Sequence, residues 1–335
     1  MASLLTQISA HVTIDVDSMD PTVASHHTTD SFKFRDMTSN QAIVYTEASK
    51  PDRLNILQSA CNIAKKASGA SLDQQIDDAL DILNVNLAKE VYPFITGRVL
   101  VQTAPSVAYN TSKTVDHAKK LVSLFEANGI PKSRVCIKIP ATPESIIACQ
   151  QLEQQGISTL ATCLFNVPQA LAASQAGCAY VTPYFNELRV HFEPSIWKEY
   201  QETAKEHPMA PVIADIVAAF KSIGSKTLVM PASIVTAKET VALASLKPDH
   251  LTLSGSVLQQ LADSHEDIQA ALAAGPTGKD VSSSNIDYLA NGGNTLKNAL
   301  AADAEATRKL ADALKIFNDM EQKTRKLIVE HLQAS

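Results

Sequence analysis

Lys138 is the residue whose setting points most directly to chemistry. It sits in Val135-Cys136-Ile137-Lys138-Ile139-Pro140, with apolar neighbours on both sides. A lysine is almost never fully buried without a partner or a purpose. Desolvation would lower its pKa and free the amine as a nucleophile toward a carbonyl. The same segment also allows the side chain to snorkel from a strand end into water, and Phe32-Lys33-Phe34 shows how readily the pattern arises. Asp17, in Val16-Asp17-Ser18-Met19-Asp20, is a carboxylate able to take or return a proton on a substrate hydroxyl, or to cap the following turn. Asp15 and Asp20 compete with it. Thr162, Gln102 and Tyr184 are neutral groups able to hold a water, although each, read singly, is a structural residue first.

Other chemistries lack their motifs. The nine histidines are scattered, His26-His27 being an adjacent pair in a loop-like stretch. There is no H-E-x-x-H and no His/Cys/carboxylate cluster at ligand spacing, so no metal is expected. There is no G-x-S-x-G elbow. Glycine is scarce, 11 of 335 residues, and neither G-x-G-x-x-G nor a P-loop occurs, which removes the common nucleotide-binding readings. The net charge is −6; with no basic stripe and no RNP- or finger-like motif, a nucleic-acid partner is not expected. No apolar run approaches the ~18–20 residues of a membrane span. The five cysteines, Cys61, Cys136, Cys149, Cys163 and Cys178, include no C-x-x-C and read as buried reduced thiols. With no basic n-region in residues 1–10, the expected compartment is the cytosol.

The elements that must position these side chains repeat as strand then helix. Candidate strands are 12–17, 32–37, 98–103, 135–140, 159–165, 180–184, 227–231 and 250–253, mostly short, apolar and β-branched. Few alternate cleanly, which suits strands buried on both faces. Helical stretches at 111–128, 143–155, 167–176 and 211–223 lie between them, three with proline in or near the first turn. Gly129, Gly156, Gly177 and Gly224 each follow a helical run and precede a strand, where a residue of positive φ is wanted. Eight βα units in one chain of this length predict a (β/α)8 TIM barrel in a single domain, 1–335, rather than an open doubly wound sheet. Residues 51–95 add room for two extra helices, 275–294 read as a loop, and 300–333 as a long C-terminal helix packed over the barrel. Active residues of such a barrel sit at the C-terminal strand ends. Here those ends hold Asp17, Asn40, Gln102, Lys138, Thr162, Thr182, Tyr184 and Ser233.

At these residues the chain resembles the transaldolases, Schiff-base enzymes on a (β/α)8 barrel. The similarity runs from Asp17-Ser18-Met19-Asp20, through Met37-Thr38-Ser39-Asn40, to Ile137-Lys138-Ile139-Pro140-Ala141-Thr142, then Leu152-Glu153-Gln154-Gln155-Gly156-Ile157 and the C-terminal helix. The resemblance implies that Lys138 forms an imine with a ketose, Asp17 takes the proton from the C4 hydroxyl, and Asn40 and Ser233 hold donor hydroxyls, with Thr182 among the substrate contacts. It implies a small carbohydrate as partner, no cofactor, a place in pentose phosphate chemistry, and leaves a homodimer open.

Departures from the usual transaldolase pattern sharpen this. Gln102 stands where the family usually has glutamate, Leu160 where it has asparagine and Tyr184 where it has phenylalanine. The set Gln102, Thr162 and Tyr184 resembles the fructose-6-phosphate aldolase branch, in which three polar groups position a catalytic water and free dihydroxyacetone is released. The expected phosphate contacts are altered: Glu187 stands at the first arginine position unless one inserted residue brings Arg189 there, and Val235 stands at the second. Losing charge-assisted contacts predicts weak binding of phosphorylated sugars, or a different substrate, with Lys238 and His191 as the available substitutes. The competing readings are an aldolase on a non-phosphorylated substrate in a specialised pathway, and a barrel that has lost catalysis and serves as a binding subunit.

Overall fold

The computed structural model describes residues 2–30, 32–66, 70–279 and 286–333. Eight parallel strands form one sheet: β1 (Thr13–Asp17), β2 (Met37–Thr38), β3 (Val99–Gln102), β4 (Val135–Pro140), β5 (Ser158–Leu164), β6 (Tyr180–Pro183), β7 (Leu228–Val229) and β8 (His250–Leu253). Each pairs with its neighbour in sequence, and β8 returns to pair with β1. Amides of Asp249 and Thr252 donate to the carbonyls of Val229 and Pro231 at 3.1 and 3.4 Å, closing the ring between β7 and β8. The predicted (β/α)8 barrel is therefore the fold.

The strands carry a change of layer written into single-residue steps. Side chains two apart on a strand share a face. Leu100, Cys136, Leu160, Tyr180 and Met230 form a separate apolar cluster. Two residues further along four of the same strands stand Gln102, Lys138, Thr162 and Thr182, all buried. A polar ring thus lies directly above an apolar layer.

Helix ends follow the sequence reading. Helices Thr111–Ala127, Pro143–Gln154, Val167–Gln175 and Met209–Ser222 are each followed by a glycine with φ of +83°, +68°, +83° and +62° in turn. The region 51–95 holds Leu54–Lys65 and the longer Leu72–Val91. The C-terminal helix spans Ala304–Gln333. It packs on helix Gln41–Ala48 and on the short turn Leu188–His191, burying Leu310, Leu314 and Phe317 while Met320 stays half-exposed. It covers the barrel and is not a free coiled coil.

Two expectations need correction. The second strand lies later than 32–37. Residues 32–36 alternate in burial, and Phe34 makes an isolated bridge to Ile95. The regular ladder is interrupted because the Asp36 carboxylate, not a backbone carbonyl, accepts the Arg98 amide at 2.6 Å. The 275–294 loop also ends early: residues 280–285 lie outside the described set, and helix Ala290–Ala301 begins through left-handed Asn291, Gly292 and Gly293.

The cap glycines supply a stability test. A Cβ on Gly156 would meet nothing nearer than the Lys132 ammonium at 3.5 Å, so alanine there brings backbone strain without a clash. Gly156→Ala should cost about 1–2 kcal/mol in denaturant unfolding. An unchanged midpoint and slope would show that the left-handed cap is not what ends this helix.

Candidate active site

Asp17, Asn40, Lys138, Tyr184 and Ser233 line one cavity of about 210 Å³ at the C-terminal ends of the strands. Thr252, Ser254 and His191 join them, with Ile43, Leu188, Phe192 and Ile234 as apolar wall.

Lys138 is 2% exposed. Its Nζ donates to the Ser39 carbonyl oxygen at 3.2 Å. Burial pulls its pKa below the ordinary lysine value, while Asp17 and Cys163 act through space in the opposite sense without restoring it. The amine is therefore kept closer to its neutral, nucleophilic form. Asp17 ends β1, and its Oδ1 accepts from the Thr38 hydroxyl at 2.7 Å. Thr38 also lies 2.6 Å from the Thr252 hydroxyl. A hydroxyl has one proton, so with Thr38 donating to Asp17, Thr252 must donate to Thr38. That relay orients the carboxylate beside the cavity.

Asn40 caps helix Gln41–Ala48, its Oδ1 accepting from the amides of Ala42 and Ile43 at 2.9 and 3.1 Å. The cap fixes the side chain and leaves its NH2 as the donor for a ligand. Ser233 has φ of +60°, and its hydroxyl meets His191 Nε2 at 2.9 Å. Crowding by the cavity wall holds the His191 pKa below its usual value, against smaller opposing effects of Asp17 and Glu239.

Thr162 is fully buried and donates to the Tyr184 hydroxyl at 3.2 Å. Burial raises the Tyr184 pKa well above the phenol range, so it stays protonated. The β5–β6 ladder breaks between Ala161 and Leu164, where Cys163 takes φ of +54°; such bulges re-aim side chains at barrel rims. Burial also pushes the Cys163 thiol up to about 12, which leaves it neutral. Gln102 pairs with Lys138 across β3–β4. Its amide donates to Gln41 Oε1 at 2.7 Å, and its own buried Oε1 has no hydrogen-bond partner. It lines a separate small cavity with Gln41, His117 and Glu321. Thr182 is 1% exposed and its hydroxyl is likewise without a partner.

The basic positions lie elsewhere. Arg189 does not line the cavity; its Nη2 pairs with Glu193 at 3.0 Å. Glu187 pairs with Arg308 of the C-terminal helix at 2.8 Å, and Val235 is also outside the lining.

Sequence reading missed Thr252, Phe192 and Glu239. Glu239 was legible as the last residue of Thr236-x-x-Glu239, which forms a capping box. It also missed a carboxylate–histidine group. Asp15, Asp36 and His250 place one ligand atom each within 4.8 Å of one another. They are far apart in sequence, so no spacing motif reveals them. His250 Nδ1 lies 2.8 Å from Asp15 Oδ2, and burial raises Asp15 to about 7. Among the described residues, no helix is long and apolar enough to cross a membrane, and the five cysteines are free and buried.

The family described as Transaldolase/Fructose-6-phosphate aldolase matches residues 13–328. A transaldolase of a Shewanella species, strain MR-4, is 32% identical over 277 residues, covering 83% of this chain and 84% of that protein. A transaldolase of Shewanella oneidensis is 31% identical over 317 residues, 95% of each chain. A solved IMP dehydrogenase/GMP reductase-like protein of Corynebacterium glutamicum shows only a weak likeness, with TM-score 0.41 and 11% identity over 73% of this chain and 64% of that one. The chain belongs to the transaldolase/fructose-6-phosphate aldolase family and is an enzyme of the transaldolase–aldolase type.

Proposed function

We propose that the protein makes or breaks a C–C bond beside a hydroxyketone through an imine on Lys138. The observation that carries this is a desolvated amine, 2% exposed, opening on a cavity that also holds one oriented carboxylate, Asp17. The Lys138 amine adds to the ketone carbon, and loss of water leaves a protonated imine. Asp17 takes the proton from the hydroxyl on the carbon that forms the far end of the breaking bond and becomes the aldehyde. That bond's electron pair moves into the imine, giving an enamine on Lys138 and a free aldehyde. The enamine is then either protonated and hydrolysed, or attacks a second aldehyde in the reverse of the same step.

Asn40 and Ser233 hold donor hydroxyls in this reading, and Tyr184, Thr162 and Gln102 hold the hydrolytic water. The Thr162–Tyr184 bond supports the first two of these; for Gln102 the support is its pairing with Lys138 across β3–β4, since its side chain lines a separate cavity. A water-holding set favours release of the ketol fragment; the family relatives named transaldolase favour its transfer. Product formed from free dihydroxyacetone and an aldehyde would establish release chemistry, and product formed only from a sugar phosphate would establish transfer. The buried free thiols suit a reducing compartment such as the cytosol.

Borohydride reduction with dihydroxyacetone or fructose 6-phosphate should leave a stable mass adduct on the peptide holding Lys138, and none in Lys138→Ala. Equal trapping in that variant, or no adduct with any ketose, refutes the imine.

The amine's state gives a pH test. A depressed pKa means that the folded chain binds this proton less readily than the unfolded chain does. Stability conferred by the neutral amine is then lost as pH falls through the folded value. Acylation of Lys138, followed by peptide mass, should therefore have a midpoint below the ordinary ~10.4, and Lys138→Met should be more stable than the parent at pH 7. A midpoint matching exposed lysines in the same digest would contradict the desolvated amine.

A further inference from the structure

The cavity's charge is confined to its reacting groups. Among the described residues, Lys138 and Asp17 are its only Lys, Arg, Asp or Glu side chains. Three of the cations in the segments around it are held by carboxylates, while Lys198 and Lys309 face the rings of Tyr200 and Phe165 and line a neighbouring cavity, outside this one. Arg189 pairs with Glu193 at 3.0 Å, Lys238 with Glu199 at 3.5 Å, and Arg308 with Glu187 and Asp312, both at 2.8 Å. His191 does line the cavity, but with its pKa held below the ordinary value it carries little charge at pH 7.

The backbone site is also taken. Barrels of this kind commonly bind phosphate where the loops after strands 7 and 8 meet a helix N-terminus. Here the Glu239 carboxylate, 3% exposed, occupies those donors. Its Oε2 accepts from the amides of Val235 and Thr236 at 2.7 and 3.4 Å and from Asn186 Nδ2 at 3.0 Å; its Oε1 accepts from Trp197 Nε1 at 2.8 Å. A built-in anion satisfies the donors and repels a second anion. Helix Gly255–Asp263 begins beside the cavity at Ser254, but its first turn, Gly255-Ser256-Val257, has no cation.

The lining also has an apolar part. Ile43, Leu188 and Ile234 form the wall, and Phe192 is 40% exposed at the mouth. With Ile43, Leu188 and Ile234 it makes the apolar part of the lining continuous out to solvent.

We propose that the outer part of this cavity is a subsite for an uncharged aldehyde with an apolar substituent, packed against Phe192, Ile234, Leu188 and Ile43, and that it selects against phosphorylated acceptors. This names the substrate class of the Lys138 reaction and rests on that reading for its chemistry. The subsite itself is measurable without the chemistry.

Two experiments separate the claims. Borohydride trapping of dihydroxyacetone reports on Lys138 alone. Equilibrium binding of two unreactive probes, 2-phenylethanol and glycerol 3-phosphate, reports on the subsite, and calorimetry on the full chain can follow both. 2-Phenylethanol should bind at least about tenfold more tightly, and Phe192→Ala should weaken it about tenfold, on the scale of a lost apolar pocket contact. Phe192→Leu should keep most of that affinity, and glycerol 3-phosphate should be insensitive to either change. Because Phe192 is 40% exposed and lies outside the buried core, neither variant should disturb folding, which circular dichroism verifies. Glycerol 3-phosphate binding as tightly as 2-phenylethanol, or no effect of Phe192→Ala on the alcohol, overturns the subsite even if Lys138 traps the ketone. Trapping that fails while the alcohol binds as expected overturns the imine and leaves the apolar subsite standing.

Discussion

An amine buried to 2% exposure with one protein hydrogen bond, to the Ser39 carbonyl, is the constraint around which this barrel is arranged. Burying an ammonium unpaired is costly, and the ordinary escape is to neutralise it. The fold allows that escape and limits it. Leu160, the β5 residue paired with Lys138, belongs to the apolar layer that also holds Leu100, Cys136 and Met230, so water has little access from below. Asp17 offsets part of the desolvation through space, which keeps the amine within reach of both protonation states. A closer ion pair would stabilise the ammonium and oppose nucleophilic attack. Replacing Asp17 by an apolar group would remove the only carboxylate lining the cavity.

Neutrality recurs among the supporting groups. Tyr184 and Cys163 stand close to Lys138 and Asp17, and both are held in their protonated forms by burial. Neither competes for the role of base. Asp17 is positioned by hydroxyls, Thr252 to Thr38 to carboxylate.

Much of this was legible in sequence because it depends on local rules. Lys138 in an apolar run, strand ends carrying Asp17, Thr162 and Ser233, and glycine after each of four helices all follow from periodicity and backbone conformation. The second strand was misplaced because Phe32 to Asp36 alternates as a strand does, while the Asp36 carboxylate takes over a backbone's place as acceptor for Arg98. No pattern rule reports that exchange. Phe192 sits in the irregular stretch after β6, where neither the helical nor the strand period applies. The Asp15, Asp36 and His250 group joins the first two βα units to the last strand, so only barrel closure reveals it. Glu239 lies between these cases: its capping box is local, but its bonds to Asn186 and Trp197 cross more than forty residues.

Arginine scarcity becomes meaningful only with those partners in place. Seven arginines in 335 residues would still suffice for an anion site if one faced the cavity. Arg308 and Arg189 are instead fastened to carboxylates on the C-terminal helix and the turn after β6. Exposed pairs of this kind contribute little stability, so their energetic role is minor. Their consequence is for the field at the cavity mouth, where Arg189 and Arg308 are each matched by a negative charge. Glu239 acts in the same sense from the other side, filling with a carboxylate the amide cluster that would otherwise attract an anion. Among the described residues Asp17 and Lys138 are the charged Lys, Arg, Asp or Glu side chains of the lining, an arrangement suited to moving one proton and one electron pair in the proposed reaction.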